Sequence, residues 1–270
     1  MKLINGLRQV QSKYDVFFID LWGVVHNGVK LNPKAIEVLE NLNKLNKRFV
    51  LMSNAPRPSK SVERFLIKLN MNRKLIKNIF TSGEAALKSL QNNTFGNFFY
   101  HLGPKRDSVL YKGFEKNKKK LENAQFILCT GFLEEEEKSL EYYKKLLKKF
   151  TNIKMICTNP DLIVYRGSKK EYCAGTIAEI FKEMGGEVIY FGKPYPEIYY
   201  FCKKKNEKIL VIGDNILTDI KGANNMKFDS LFITEGIHKK EFYKLPLKNY
   251  ESIFKKYKVK TNYYQKELTW

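Results

Sequence analysis

Four short stretches of this 270-residue chain combine residue types that can do chemistry. Asp20 ends the apolar run V-F-F-I-D and leads into L-W-G-V, so Trp22 stands two positions beyond it. Ser53-Asn54 close R-F-V-L-M-S-N, Lys193 lies in G-K-P (192–194), and Asp214 and Asp219 stand in G-D-N-x-x-T-D (213–219). Carboxylates offer nucleophilic or cation-binding oxygens, and a lysine offers a fixed positive charge. Each stretch alone is weak, because an Asp after an apolar strand or a Gly-Lys-Pro turn is most often structural.

The elements that would position these residues alternate short apolar runs with amphipathic segments, the pattern of an α/β domain with a largely parallel sheet. Residues 16–20, 48–54, 187–193, 208–214 and 229–236 read as core strands. Asn32-Pro33 reads as a helix start, followed by Ala35, Ile36, Leu39, Leu42 and Leu45 at helical spacing. A second helix runs through Val62, Phe65, Leu66 and Leu69. In an open α/β sheet the ligand site lies beyond the carboxyl ends of the strands, so Asp20, Ser53, Lys193 and Asp214 are expected to converge.

The segment between the second and third motifs is too long for a crossover connection. It has strands of its own at 98–103, 126–131 and 153–159, a charged helix over 134–149, and a helix starting near Tyr172. The expectation is a discontinuous core (1–81 and 187–270) carrying a second α/β domain (82–186).

Taken together and in this order, the four motifs resemble those of the haloacid dehalogenase superfamily of phosphatases and phosphotransferases. The position of the insertion resembles class IIA, the NagD-like group with a large α/β cap, as do T-S-G-E-A-A (81–86), T-N-P-D (158–161) and A-G-T-I-A-E-I-F (174–181). The resemblance extends over about residues 14–236. It implies a Rossmann-like parallel-sheet core, an inserted cap, and a Mg²⁺-dependent phosphatase acting on a small phosphorylated metabolite.

Residue by residue, the resemblance makes Asp20 the nucleophile that forms an aspartyl phosphate. Asp20, Asp214 and the main-chain carbonyl of Trp22 become metal ligands, and Asp219 an outer metal partner or a helix acid. Lys193 supplies charge, and Ser53, Asn54 and the amides of Trp22 and Gly23 bind phosphate. In the cap, Asn159, Asp161 and Arg166 are candidates to meet the substrate.

Trp22 departs from the family pattern, which usually has a second aspartate there to protonate the leaving group and later activate water. Acid–base catalysis is worth about 10² to 10⁴ in rate, so its loss favours good leaving groups without abolishing turnover. His26 is a candidate replacement, weighed against a packed loop histidine. A tryptophan at the junction could also stack on a planar group or exclude water. The competing reading is a phospholigand-binding or regulatory protein that keeps the pocket and turns over poorly.

The formal charge of +21 would suggest a polyanion partner, but 42 of the 49 basic residues are lysines, and the runs at 116–120 and 144–149 fit solvated helix faces. Nucleic-acid binding is therefore disfavoured, with the aromatic and basic tail K-V-K-T-N-Y-Y-Q-K-E-L-T-W as its best support. The four cysteines and three histidines form no metal-ligand pattern, and no stretch reaches the roughly 20 apolar residues of a membrane span. A cytoplasmic protein is expected, with a homodimer as the candidate assembly.

Overall fold

The computed structural model describes residues 1–134 and 139–270. In chain order its strands are β1 (Lys2–Leu3), β2 (Val16–Asp20), β3 (Arg48–Ser53), β4 (Ile79–Thr81), β5 (Phe99–Leu102), β6 (Phe126–Cys129), β7 (Lys154–Cys157), β8 (Ile163–Arg166), β9 (Lys169–Tyr172), β10 (Val188–Tyr190), β11 (Ile209–Gly213), β12 (Asp229–Ile233) and β13 (Tyr263–Gln265). The helices that matter for the site are α1 (Pro33–Lys44), α2 (Ser59–Lys68), α3 (Ser82–Gln91), α4 (Leu140–Leu147) and α5 (Ala174–Glu183).

Seven strands form a parallel sheet in the order β1-β13-β12-β11-β2-β3-β4. All five residues of β2 are buried, because side chains alternate between two covered faces. Phe17 and Ile19 pack with Val38, Leu39 and Leu42 of α1, whereas Val16 and Phe18 pack with Ile198, Tyr199 and Ala223. The chain leaves β2 toward β3 on one side and fills β11 on the other. The carboxyl end of β2 is thus a topological switch point, where such sheets open a crevice.

Local sequence explains the helix that follows β2. The Asn32 side chain accepts a hydrogen bond from the Lys34 amide at 3.2 Å, a cap worth about 1 kcal/mol, and Pro33 starts α1. The expected apolar face needs two corrections: Val38 joins it, and Leu45, just beyond the last turn, is exposed.

The second sheet has the order β10-β7-β6-β5, all parallel. On one face Ala85, Ala86 and Leu90 of α3 pack on Phe99, Phe126, Leu128 and Ile156. On the other, Tyr143 and Leu147 of α4 and Ile177, Ala178 and Phe181 of α5 pack on Leu102, Ile127, Cys129 and Met155. Of the charged helix expected over 134–149, residues 135–138 lie outside those described, and Leu140–Leu147 is helical.

Two expectations are corrected by this layout. The segment 187–193 does not add a core strand: Val188, Ile189 and Tyr190 pair with Met155, Ile156 and Cys157 of the smaller sheet. Phe191 packs in that layer too, so it extends past 186. The C-terminal segment is no exposed stacking platform, since β13 lies between β1 and β12 with Tyr264, Gln265 and Leu268 buried. The fold is otherwise the anticipated one, a Rossmann-like parallel-sheet core with a large inserted α/β cap. Among the described residues no helix is long and apolar enough to cross a membrane.

Candidate active site

Asp20, at the end of β2, is the centre of a buried cluster. Lys193 Nζ lies 2.5 Å from Asp20 Oδ1 and 2.6 Å from Asp219 Oδ1, and the three side chains are almost fully enclosed. Asp20 Oδ2 has no hydrogen-bond partner among the described residues, which leaves it available to an electrophile. Asp219 sits on a wide π-helical turn after β11 and also accepts a hydrogen bond from the Asn215 amide at 3.1 Å.

Lys193 is aimed by Asn54. The Asn54 amide donates to the Lys193 carbonyl at 3.0 Å, and its Oδ1 accepts from the Lys193 amide at 2.8 Å. The residue beyond β3 therefore fixes the backbone that carries the lysine. Ser53, buried beside it, accepts a hydrogen bond from the Ala55 amide at 3.2 Å.

Asp214 closes the cluster and is held by the Ile237 amide at 2.7 Å. It fits against the turn after β2 because Gly23 has no side chain: a Cβ there would overlap the Asp214 carboxylate, and φ is +90°. The glycine is thus needed for close approach as well as for its conformation.

The electrostatics follow from three carboxylates sharing one lysine. Burial raises the Asp20 pKa well above its usual value, Lys193 opposes the shift, and Asp219 and Asp214 add to it. Asp214 is raised to about 8, chiefly by burial and then by Asp219. Burial pulls Lys193 down, yet Asp20, Asp219 and Asp161 together lift it well above the usual lysine value.

Oxygens of Asp20, Asp214 and Asp219 all lie within 4.8 Å of one another. A donor set made only of oxygens, with more negative than positive charge in a buried space, fits a hard divalent cation. This has a measurable consequence. In metal-free protein Asp20 and Asp214 bind protons in the folded state that they release when unfolded. Stability is therefore present at low pH and is lost as pH rises from about 4 through about 8. The melting temperature without metal should fall between pH 5 and pH 8, and millimolar Mg²⁺ should raise it more at pH 8, where fewer protons compete. A metal-free melting temperature that rises with pH would contradict the fit.

The cluster opens into a cavity of about 1040 Å³ lined by both layers, including Trp22, Asn159, Asp161 and Arg166. Asp161 accepts from the Asn54 and Asn215 side chains at 3.2 and 3.4 Å, and burial raises its pKa to about 6. Asn159 accepts the Asp161 amide at 3.1 Å. Asn159 and Asp161 thus bring the loop after β7 onto the core.

Trp22 reaches into the cap. Its indole Nε1 donates to the Tyr165 carbonyl at 2.9 Å, and the Arg166 guanidinium carbon lies 4.9 Å from the ring centroid. Arg166 is held by Glu171 at 2.9 Å, and the Gly167 amide bonds to the Asn27 carbonyl at 3.0 Å. The antiparallel hairpin β8–β9 is therefore fastened to the core through Trp22.

His26 does not fill that role, and the expectation of an acid–base histidine is corrected here. It is buried outside the cavity lining between Trp22 and Phe65, its Nδ1 accepts the Gly28 amide at 3.0 Å, and burial together with Arg166 lowers its pKa to about 4.

Several residues at the site carried no expectation. Asn215 joins Asp161 to Asp219, and Arg57 and Arg106 line the cavity beside Arg166. The rarity of arginine in so lysine-rich a chain was their one signal.

Comparison with known proteins agrees with this geometry. A family model described as haloacid dehalogenase-like hydrolase matches residues 17–126, and one described as HAD-hydrolase-like matches 190–254. Between them they span more than half of the chain, which belongs to the haloacid dehalogenase-like hydrolases. No curated protein matched.

Among solved structures, a haloacid dehalogenase-like family hydrolase from Brucella suis is 28% identical with a TM-score of 0.87, covering 99% of this chain and 100% of that one. A possible sugar phosphatase of the same superfamily from Cytophaga hutchinsonii is 19% identical (TM-score 0.78; 99% and 98% covered). A 4-nitrophenylphosphatase from Thermotoga maritima is 22% identical (TM-score 0.69; 94% and 95% covered). The last two likenesses are in fold.

Proposed function

We propose that the protein is a Mg²⁺-dependent phosphatase of a small phosphorylated metabolite. The observation that carries this reading is the buried Asp20–Lys193–Asp219 ion-paired cluster, joined by Asp214, at the switch point beneath the cap. Solved structures described as a possible sugar phosphatase and a 4-nitrophenylphosphatase share the fold.

Asp20 attacks phosphorus, the ester P–O bond breaks, and the alcohol leaves with a proton taken from water. Water then attacks the aspartyl phosphate and releases phosphate and the free carboxylate. Lys193 balances charge on the nucleophile and on the phosphoryl oxygens, while the Ser53 hydroxyl and the Trp22 amide donate to those oxygens; the Gly23 amide, expected to join them, is instead given to the His26 carbonyl at 2.8 Å. Asp20, Asp214 and the Trp22 carbonyl would hold Mg²⁺, which neutralises phosphoryl charge when bound. Asp219 acts on Lys193 and on the outer side of the metal site.

Because no acid stands at position 22, esters with good leaving groups should be hydrolysed first. Trp22→Asp tests this. The ratio of phenyl phosphate to 4-nitrophenyl phosphate turnover is expected to rise about 10²-fold, the low side of what an added acid supplies. An unchanged ratio in a folded variant would remove Trp22 as the limit on acid–base chemistry.

The second reading, a phospholigand-binding protein with weak turnover, is favoured by one observation. Trp22 is committed to fastening the cap and offers no proton. Absence of 4-nitrophenyl phosphate hydrolysis with Mg²⁺, alongside retained binding of vanadate, would select it.

A further inference from the structure

Resting on the phosphatase reading, we infer that the cap-facing half of the cavity is a second anion site. It selects phosphate monoesters whose leaving group itself carries a carboxylate or a second phosphoryl group.

Three of the seven arginines line this one cavity, and they come from three separate elements. Arg57 follows β3, Arg106 follows β5, and Arg166 ends β8. The remainder of the basic excess is lysine, so the clustering of planar guanidinium forks is specific to this place. Such forks fit the two oxygens of a carboxylate or phosphoryl group, which a lysine point charge does not.

Three carboxylates, Asp107, Glu134 and Glu171, line the cavity with them. Arg166 is occupied by Glu171 and the Trp22 ring. Arg57 Nε stands 3.4 Å from Asp107 Oδ1, and neither atom has a hydrogen-bond partner among the described residues. Burial lowers the Arg57 pKa, Asp107 opposes this, and Arg106 and Arg166 lower it further, so both are close enough to act on Arg57. Arg106 is exposed to the cavity. Arg57 Nε is enclosed against Asp107, so the groups open to an anionic ligand are the exposed Arg106 guanidinium and the part of Arg57 that lines the cavity, whose like charges an added anion offsets.

The spacing limits the ligand. Arg57 lies four positions beyond Ser53, so their Cα atoms are at most about 14 Å apart. A small metabolite can reach the phosphoryl site and the arginines together. Trp22 takes part by holding Arg166, so the residue that costs the site its acid also provides the platform for a cation facing the leaving group.

The test uses Asp20→Asn with Mg²⁺, which binds without turning over. Calorimetry compares 3-carboxyphenyl phosphate with its neutral isostere, 3-carbamoylphenyl phosphate, and 1,3-phenylene bisphosphate separates a second phosphoryl group from a carboxylate. At least one anionic probe should bind about tenfold tighter than the carbamoyl ester, a difference of about 1.4 kcal/mol. Adding Arg106→Gln, at an exposed position, or Arg57→Gln should bring that ratio toward one.

Equal affinities for all three probes would overturn the inference, as would a preference unchanged in both arginine variants. Turnover of the carbamoyl ester by wild-type protein is read separately. Its absence would count against the phosphatase reading without touching the binding comparison.

Discussion

Asp20→Asn is expected to lower phosphate-ester turnover by on the order of 10⁴-fold or more while leaving the fold intact. The amide is isosteric, so Lys193 keeps a neighbouring oxygen, but the nitrogen or carbonyl of an amide does not attack phosphorus. Asp20 is nearly enclosed, with one oxygen held by Lys193, so no other carboxylate occupies its position beyond β2. Steady-state hydrolysis of 4-nitrophenyl phosphate with Mg²⁺ measures the loss, and circular dichroism checks the fold. Retention of a tenth of the wild-type rate by a folded variant would move the nucleophile elsewhere.

Lys193→Met should have the second largest effect, on both activity and stability. It removes the charge facing the transferring group, a loss of about 10² to 10³ in rate by analogy with other preorganised donors. It also leaves Asp20 and Asp219 buried without their counter-ion. Breaking such a buried pair costs about 3–5 kcal/mol, because the stranded charge cannot return to water. The pH dependence keeps the sign of the metal-free wild type but steepens: Lys193 opposes the upward shift of Asp20, so without it the variant should lose more stability than wild type between pH 5 and pH 8. Adding Asp219→Asn should restore part of the loss at pH 8. Urea unfolding of the three proteins reads these changes, and a stable single variant at pH 8 would contradict the ion-pair geometry.

Much of the site could be read before any fold was known, for physical reasons tied to particular residues. Asp20, Ser53 and Asp214 each end an apolar run, and a parallel sheet places the ends of all such runs on one edge. Lys193 was legible through G-K-P although its strand belongs to the other sheet, because Asn54 draws the following turn back to the core. The sheet to which β10 belongs was not legible, since three half-buried residues pair as readily with one parallel neighbour as with another.

The hairpin β8–β9 was missed for a related reason. Its residues are half-buried or exposed, so hydrophobic alternation is faint, and the turn at Gly167-Ser168 was the one cue. Without the hairpin, the purpose of Trp22 was open. With it, the indole is a fastening between core and cap. His26 misled because its type suggests titration near neutrality, whereas burial between aromatic rings keeps it neutral.

The most direct test of the central claim is a rapid-quench experiment with 4-nitrophenyl phosphate and Mg²⁺, followed by mass spectrometry of the peptide containing residues 16–26. With a good leaving group Asp20 can be phosphorylated without an acid, while the missing base slows attack by water. The account therefore predicts a burst of nitrophenol approaching one equivalent per chain, with one phosphoryl group on Asp20 that is absent from Asp20→Asn. Turnover in which Asp20 never carries a phosphoryl group would contradict it.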